Sequence, residues 1–239
     1  MILPSRLLPS TSRRSRLLGA PPDQNADQKG FDLDDAPYEL GDPGHPSPTP
    51  TMVIALFDDS GSVTGRGGTD PLARRYEEVK HAFQVVARRG SRRELGAVLH
   101  FDSPCVSDAG PSPITRLGIL SLHWGLHRPK DGVGSSTLAP SLDQAIDLAH
   151  RHPRHQSTLV VLSDFLLLDA EPGQVLSDLR AFPGSVHAVV LGSRVPDGVI
   201  DGAVTVTQIM QDSPRGAVAK ALFGSLVARR PGSTPLLPN

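Results

Sequence analysis

Polar residues that could support chemistry are concentrated in three short segments of this 239-residue sequence. Residues 58–62 (Asp-Asp-Ser-Gly-Ser) directly follow an unbroken apolar run. Residues 134–137 (Gly-Ser-Ser-Thr) stand before an amphipathic stretch, and residues 163–164 (Ser-Asp) end a second apolar run. Because alternate side chains of an extended chain point the same way, the first aspartate and both serines of the first segment can converge.

Together the three segments offer two carboxylates and three hydroxyls as candidate metal ligands, namely Asp58, Ser60, Ser62, Thr137 and Asp164. All of the ligand atoms would be oxygen, which suits Mg²⁺ or Mn²⁺ rather than zinc or copper. The sequence therefore predicts a site for a hard divalent cation.

Strands and helices are predicted to alternate through the region that positions these segments. Residues 52–57 are apolar throughout and are bounded by Pro50 and Asp58, as expected for a strand buried on both faces. A helix is predicted to start at Asp70, an N-cap residue followed by proline. Further strands are predicted at residues 95–101, 158–162, 186–191 and 204–209, and further helices at residues 119–126 and 138–149, after residue 172 and from residue 213. Residues 103–116 are rich in proline and serine and could form a hairpin or only a loop.

This alternation implies an α/β fold with a doubly wound, mostly parallel sheet that helices cover on both faces. We expect one domain over residues 51–229, a disordered N-terminal arm over residues 1–50 and a disordered C-terminal tail over residues 230–239. The arm combines low hydrophobicity with many prolines and charges, which cannot offset the entropy of ordering. In such sheets ligands bind beyond the carboxyl ends of the strands, so the three polar segments would meet there.

Three motifs, taken in order, resemble the metal-ion-dependent adhesion site (MIDAS) of von Willebrand factor A (VWA) domains. They are Asp-x-Ser-x-Ser after a buried strand, a loop threonine before a helix, and an aspartate that ends a later strand. The similarity covers roughly residues 51–228, including the order of strands and helices. It implies the Rossmann-like VWA fold, hydroxyl ligation by Ser60, Ser62 and Thr137, and metal contact by Asp58 and Asp164 largely through bound water. It also implies an open coordination position for an acidic side chain of a partner protein, because a metal with few charged ligands stays electrophilic.

The sequence departs from the usual VWA pattern at two places. Glycine often follows the aspartate of the third motif, but Phe165 stands here, and we expect it either to reshape the rim of the site or to contact a partner. The middle motif usually reads Gly-Gly-Thr, and Ser135 and Ser136 replace its glycines with residues that are still small and polar. Asp59 occupies a variable position of the first motif, which implies a place behind the ligands or exposure to solvent.

The resemblance implies a non-enzymatic recognition module that binds a partner's Asp or Glu. Intracellular VWA proteins often serve as adaptors in larger assemblies, sometimes beside ATPases, which is an analogy at the level of the fold. The alternative is a Mg²⁺-dependent phosphohydrolase of the haloacid dehalogenase type, with an aspartate nucleophile after the first strand, later acids such as Asp164 and Asp169, and Lys130 in the place of the family's lysine. Its first motif requires Asp-x-Asp, and Ser60 at the second position removes the general acid/base.

Composition narrows the function classes further. The formal net charge of −1 and the lack of aromatic residues among the arginine pairs of residues 74–75, 88–89 and 92–93 favour a solvated face or a protein contact over nucleic acid. No apolar run is long enough to span a membrane. A single cysteine, Cys105, fits a reducing compartment, and we expect a cytoplasmic protein. The glycines of residues 65–68 are interpreted as a flexible lip beside the metal site rather than as a dinucleotide-binding turn.

Overall fold

The computed structural model describes residues 38–70, 74–101, 103–130, 134–192, 195 and 202–236. Its strands are β1 (Gly41–Asp42), β2 (Thr51–Phe57), β3 (Glu94–His100), β4 (Ala109–Pro113), β5 (Gln156–Ser163), β6 (Ser185–Leu191), β7 (Val204–Ile209) and β8 (Thr234–Pro235). Its helices are α1 (Gly61–Thr64), α2 (Arg74–Ala87), α3 (Ile119–His123), α4 (Ala139–Arg151), α5 (Pro172–Arg180) and α6 (Ala217–Val227).

Six of the strands form one sheet in the order β4-β3-β2-β5-β6-β7. All neighbours in it are parallel except β3 and β4, which pair antiparallel at one edge. Strand β3 lies on one side of β2, whereas β6 lies on the opposite side of β5. Successive strands are therefore added in opposite directions from the central pair, so the strand order reverses between β2 and β5. The doubly wound α/β fold is thereby confirmed. Residues 103–116, for which a hairpin or only a loop was expected, contain the edge strand β4, which pairs antiparallel with β3.

Successive side chains of β2 point to opposite faces of the sheet, and a hydrophobic core covers each face. Val53, Ala55 and Phe57 pack in a core with α2 and α6, and Met52, Ile54 and Leu56 pack in a core with α4 and α5. Each of these six side chains is buried, and burying one of the five that are larger than alanine contributes about 1.5–3 kcal/mol. The central strand is therefore held rigidly, which fixes the position of the residues that follow it.

Segments on either side of the expected domain pack onto it. Strand β1 pairs antiparallel with β8, and Leu40 joins the core at 3% exposure. The buried guanidinium of Arg230 donates to the Glu94 carboxylate at 3.0 Å, and the backbone N–H of Ser47 donates to the same carboxylate at 3.0 Å. The predicted limits of 51 and 229 are therefore too narrow, because a long-range ion pair and strand pairing offset the entropy of ordering these proline-rich segments. Residues 1–37 and 237–239 lie outside the described residues.

Helix α2 carries the predicted apolar stripe, with Tyr76, Val79, Phe83 and Val86 buried. Asp70 acts as its cap, since its carboxylate accepts from the backbone N–H of Arg74 at 3.0 Å; Pro71 and Leu72 lie outside the described residues. No helix in the described ranges is both long enough and apolar enough to cross a lipid bilayer.

Candidate functional site

The segment after β2 brings three of the predicted ligands together. Asp58 Oδ1 accepts a hydrogen bond from the backbone N–H of Ser60 at 2.9 Å, and the hydroxyls of Ser60 and Ser62 lie 3.0 Å apart. Adjacent oxygen ligands of an octahedral Mg²⁺, bound at 2.0–2.1 Å, are about 3 Å apart. The two serine hydroxyls therefore fit neighbouring positions around one such cation.

The end of β5 brings the second carboxylate to the same place. The Ser163 hydroxyl donates to Asp58 Oδ2 at 2.6 Å and accepts from the backbone N–H of Phe165 at 2.8 Å. Asp164 is 2% exposed, and its Oδ1 accepts from the backbone N–H of Leu166 at 3.0 Å. Ser163 thus orients Asp58, although it is not one of the predicted ligands.

Thr137 is joined to this group through its loop. A Cβ on Gly134 would lie 3.4 Å from the carbonyl oxygen of Asp59, so this loop packs against the segment after β2. The Ser135 hydroxyl contacts the Thr137 hydroxyl and accepts from the backbone N–H of Thr137 at 3.0 Å. The loop that carries Thr137 therefore adjoins the segment after β2, while the described hydrogen bonds of Thr137 itself are to Ser135.

Asp169 holds the residues that follow Thr137. Its two carboxylate oxygens accept from the backbone N–H groups of Leu138 and Ala139, each at 2.9 Å. These groups belong to the first turn of α4, where backbone N–H groups have no partner within the helix. Asp169 therefore has a capping role here, and Lys130, the other residue that the phosphohydrolase alternative needs, is exposed.

Burial dominates the electrostatics of Asp58. Burial raises the pKa of its carboxyl above the ordinary value, the hydrogen bonds from Ser163 and Ser60 lower it in part, and the negative charge of Asp164 raises it further. Two buried carboxylates that repel each other are stabilised by a cation between them. The arrangement is suited to a divalent ion.

Asp59 lies behind the ligands in a buried polar network that the sequence did not reveal. The Arg75 guanidinium donates through Nη2 to Asp59 Oδ1 at 2.8 Å and to the carbonyl oxygen of Asp58 at 2.9 Å. His100 Nδ1 lies 2.6 Å from Asp59 Oδ2, and the Tyr76 hydroxyl, whose pKa burial raises, donates to Asp59 Oδ1. The backbone between Asp58 and Ser60 is thereby fixed by charge-assisted bonds.

This network bears on two expectations. Asp59 is 1% exposed, which agrees with the expected place behind the candidate ligands and not with the alternative of exposure to solvent. Arg75 is also 1% exposed, so the expectation that it belongs to a solvated basic face is wrong. The signal for Arg75 was its position four residues before Val79, which places it on the buried stripe of α2.

For Phe165, the second of the two expected alternatives is wrong. The residue is 5% exposed and packs in the core beside α4 and α5, so its ring is not available for contact with a partner. Its φ is 56°, in the left-handed region that glycine adopts without strain. Leu166 and Leu168, which follow it, are the exposed apolar residues of this rim.

Solved structures with the same arrangement of strands and helices decide the fold. A von Willebrand factor type A protein from Catenulispora acidiphila superposes with a TM-score of 0.54 at 11% sequence identity, over 79% of this chain and 48% of that one. The fold is that of a VWA domain. Proximal thread matrix protein 1 from the mussel byssus, solved with a zinc-occupied MIDAS motif, superposes with a TM-score of 0.52 at 16% identity, over 77% of this chain and 48% of that one. No protein-family model matches the sequence, and no curated protein matches it.

This chain spans about half the length of each of those two proteins. At these identities the likeness establishes the VWA fold alone, and the chemistry of the site rests on its own residues. Within the described ranges no three His, Cys, Asp or Glu side chains cluster as a metal site. A cation in this VWA domain would therefore depend on its hydroxyl ligands.

Proposed function

We propose that this VWA domain binds a divalent cation and uses it to recognise an acidic side chain of a partner protein. Asp58, Ser60, Ser62, Thr137 and Asp164 would hold the metal. The observation that carries the proposal is the arrangement of four side chains at the point where the strand order reverses. Two of them are the buried carboxylates of Asp58 and Asp164, and the other two are the hydroxyls of Ser60 and Ser62, which lie 3.0 Å from each other.

The choice of metal follows from the ligand atoms. Oxygen ligands alone favour Mg²⁺ or Mn²⁺ over softer metals. The zinc-occupied MIDAS motif of the mussel protein supports a divalent cation at such a motif without fixing which one. When bound, the metal supplies an electrophilic centre for a carboxylate.

Access to the site supports recognition from outside. Asp58, Ser60 and Asp164 are buried, whereas Ser62 and Thr137 are half-buried, so the site is open to solvent on the side of Ser62 and Thr137. A partner's Asp or Glu would approach from that side. The role as a non-enzymatic adaptor, its place in an ATPase-containing assembly and a cytoplasmic location belong to the same proposal, through the VWA resemblance and the single cysteine.

Calorimetric titration with Mg²⁺ and with Mn²⁺ tests the metal site. We expect saturable binding to the wild type and binding weakened at least about tenfold in Ser60→Ala/Asp164→Asn, which loses one ligand of each kind. The matched control is Ser121→Ala/Asp143→Asn, which removes an exposed hydroxyl and an exposed carboxylate elsewhere. Equal affinity in the two double variants would contradict the assignment of the ligands.

A pull-down in Mg²⁺ and in excess EDTA tests the partner. We expect a protein retained only in Mg²⁺ and only by the wild type and the control, whose binding is lost when one of its own Asp or Glu residues is changed to Asn or Gln. Cleavage of a generic phosphoester that requires both Mg²⁺ and Asp58 would instead favour the phosphohydrolase alternative.

A further inference from the structure

A cavity of about 470 Å³ adjoins residues 58–62, the segment that follows β2. It opens between the carboxyl ends of β6 and β7 and the first turns of α2 and α6. Part of its wall is apolar, formed by Leu191, Ile209 and Val218. Cavities of this volume are typical of sites for small molecules or single side chains.

The cavity wall carries a net positive charge. Its charged residues in the described ranges are Arg66, Arg74, Arg75, Arg215, Asp70 and Glu78, four cations against two anions, which gives +2. Both carboxylates are already bonded within the protein. Asp70 pairs with Arg75 at 2.8 Å, and Glu78 accepts from the backbone N–H groups of Gly216 at 2.9 Å and Ala219 at 3.1 Å.

Several donors of the wall have no acceptor in the described part of the protein. The side chains of Arg66, Arg74 and Arg215 are exposed and form no ion pair with any described residue. Arg75 Nε and Thr69 Oγ1 are buried, and neither has a hydrogen-bond partner among the described residues. Arg75 itself is 1% exposed. A buried donor without an acceptor costs about 1–3 kcal/mol, so the wall favours a ligand that brings acceptor oxygens.

We propose that this cavity binds a phosphate group, carried by a small organic phosphate or by a phosphorylated side chain. A phosphate monoester has a charge near −2 at neutral pH and three acceptor oxygens, which match the charge of the wall and its set of donors. Guanidinium groups bind phosphate in a bidentate manner. A carboxylate carries half that charge and fewer oxygens, and the apolar wall accommodates the body of the ligand.

The site is separate from the metal ligands but adjoins them. Thr69, in the wall, donates through its backbone N–H to the carbonyl oxygen of Ser62 at 3.1 Å, whereas the metal would bind the hydroxyl of Ser62. The phosphate proposal does not rest on metal binding, and it is tested in EDTA.

Calorimetric titration of the full chain in EDTA with phenyl phosphate, phenylacetate and an octapeptide containing one phosphoserine tests the proposal. The cavity variant is Arg66→Gln/Arg74→Gln/Arg215→Gln. The matched control is Arg92→Gln/Arg116→Gln/Arg154→Gln, which removes three exposed arginines at the amino edge of the sheet and changes the net charge equally.

We expect saturable binding of at least one of the two phosphate probes, weakened about tenfold or more in the cavity variant and by less than about twofold in the control. Thr69→Val removes one hydroxyl at nearly constant volume, and we expect it to weaken binding by about three- to tenfold in a folded protein. Tighter binding of phenyl phosphate identifies a free small molecule as the source of the phosphate, and tighter binding of the peptide identifies a phosphorylated partner.

Three results would overturn the proposal. One is no saturable binding of either phosphate probe to the wild type. Another is an equal loss of affinity in the cavity and control variants, which would show only non-specific attraction to positive charge. The third is phenylacetate binding as tightly as phenyl phosphate, which would show that the cavity does not select phosphate.

Discussion

Replacing Arg75 by methionine tests whether the buried network holds residues 58–62, the loop that carries three of the proposed metal ligands. The change removes the guanidinium from a position with 1% exposure and leaves the Asp59 carboxylate, also at 1% exposure, without its cation. A buried ion pair broken on one side typically costs about 3–5 kcal/mol, because the remaining charge stays uncompensated. We expect Arg75→Met to lower the free energy of unfolding by that amount.

The second change isolates the charge from the loss of packing. In Asp59→Asn/Arg75→Met no fully buried charge is left without a partner, because the other carboxylate that pairs with Arg75, that of Asp70, keeps contact with solvent. We expect the double variant to cost only about 1–2 kcal/mol for the lost hydrogen bonds. The double-mutant cycle should therefore show a coupling free energy of at least about 2 kcal/mol between the two residues. Arg74→Met is the matched control, since Arg74 is the preceding residue and its side chain is exposed; we expect an effect within about 0.5 kcal/mol.

Urea unfolding in EDTA, followed by circular dichroism, measures these differences without a contribution from metal. The comparison requires equal dependence on denaturant in all variants, because a changed slope would mean a changed denatured state. A cost below about 1 kcal/mol for Arg75→Met, or additive costs in the double variant, would refute the claim that this ion pair holds the loop.

Three further predictions follow from other buried residues. Phe165→Ala should lower the free energy of unfolding by about 3–5 kcal/mol because the buried ring is lost. Phe165→Gly should lower it by the same amount or by up to about 1 kcal/mol less, because φ at this position is 56° and alanine keeps the backbone strain that glycine relieves. Unfolding curves that show the glycine variant to be less stable than the alanine variant would contradict this. Burial lowers the pKa of His187 to about 4, so its stabilising contribution is complete above the unfolded pKa of about 6.5 and is lost as the pH falls toward 4. The stability of the wild type relative to His187→Gln should therefore decrease by on the order of 3 kcal/mol across that range, measured by urea unfolding at each pH. Asp169→Ala should cost about 1–2 kcal/mol by removing the cap of α4, whereas the exposed Asp143→Ala in the same helix should change the stability by less than about 0.5 kcal/mol.

The elements that carry the candidate metal site could be predicted from the sequence because each has its own local signal. The apolar run before Asp58 and the run before Asp164 identify two buried strands. Since parallel strands end at the same edge of a sheet, the residues that follow them were expected to meet, and Asp58, Ser60 and Asp164 are all buried at that edge. Their assignment as metal ligands remains a prediction.

Contacts between residues distant in sequence could not be predicted in this way. Periodicity shows which face of a helix is apolar, but it does not show what lies opposite that face. The bond between Arg75 and Asp59, the cap that Asp169 supplies to α4, and the pairing of β1 with β8 each join segments that have no local signal for one another. The left-handed conformation of Phe165 was hidden for the same reason, since only tertiary burial holds a bulky residue there.

The acidic residues around the candidate site have different roles, which explains why the site needs the buried network of Asp59 and Arg75. Asp59 and Asp169 are used on the protein itself, where they bind Arg75 and the first turn of α4. The proposed ligands are then mostly neutral hydroxyls, which hold a cation less strongly than carboxylates and so depend on a loop that is already in place. The same choice leaves a bound divalent cation incompletely neutralised, and this remaining charge is what would attract the carboxylate of a partner. The rigid network behind the loop and the proposed affinity for an acidic partner are thus two consequences of one arrangement of charge.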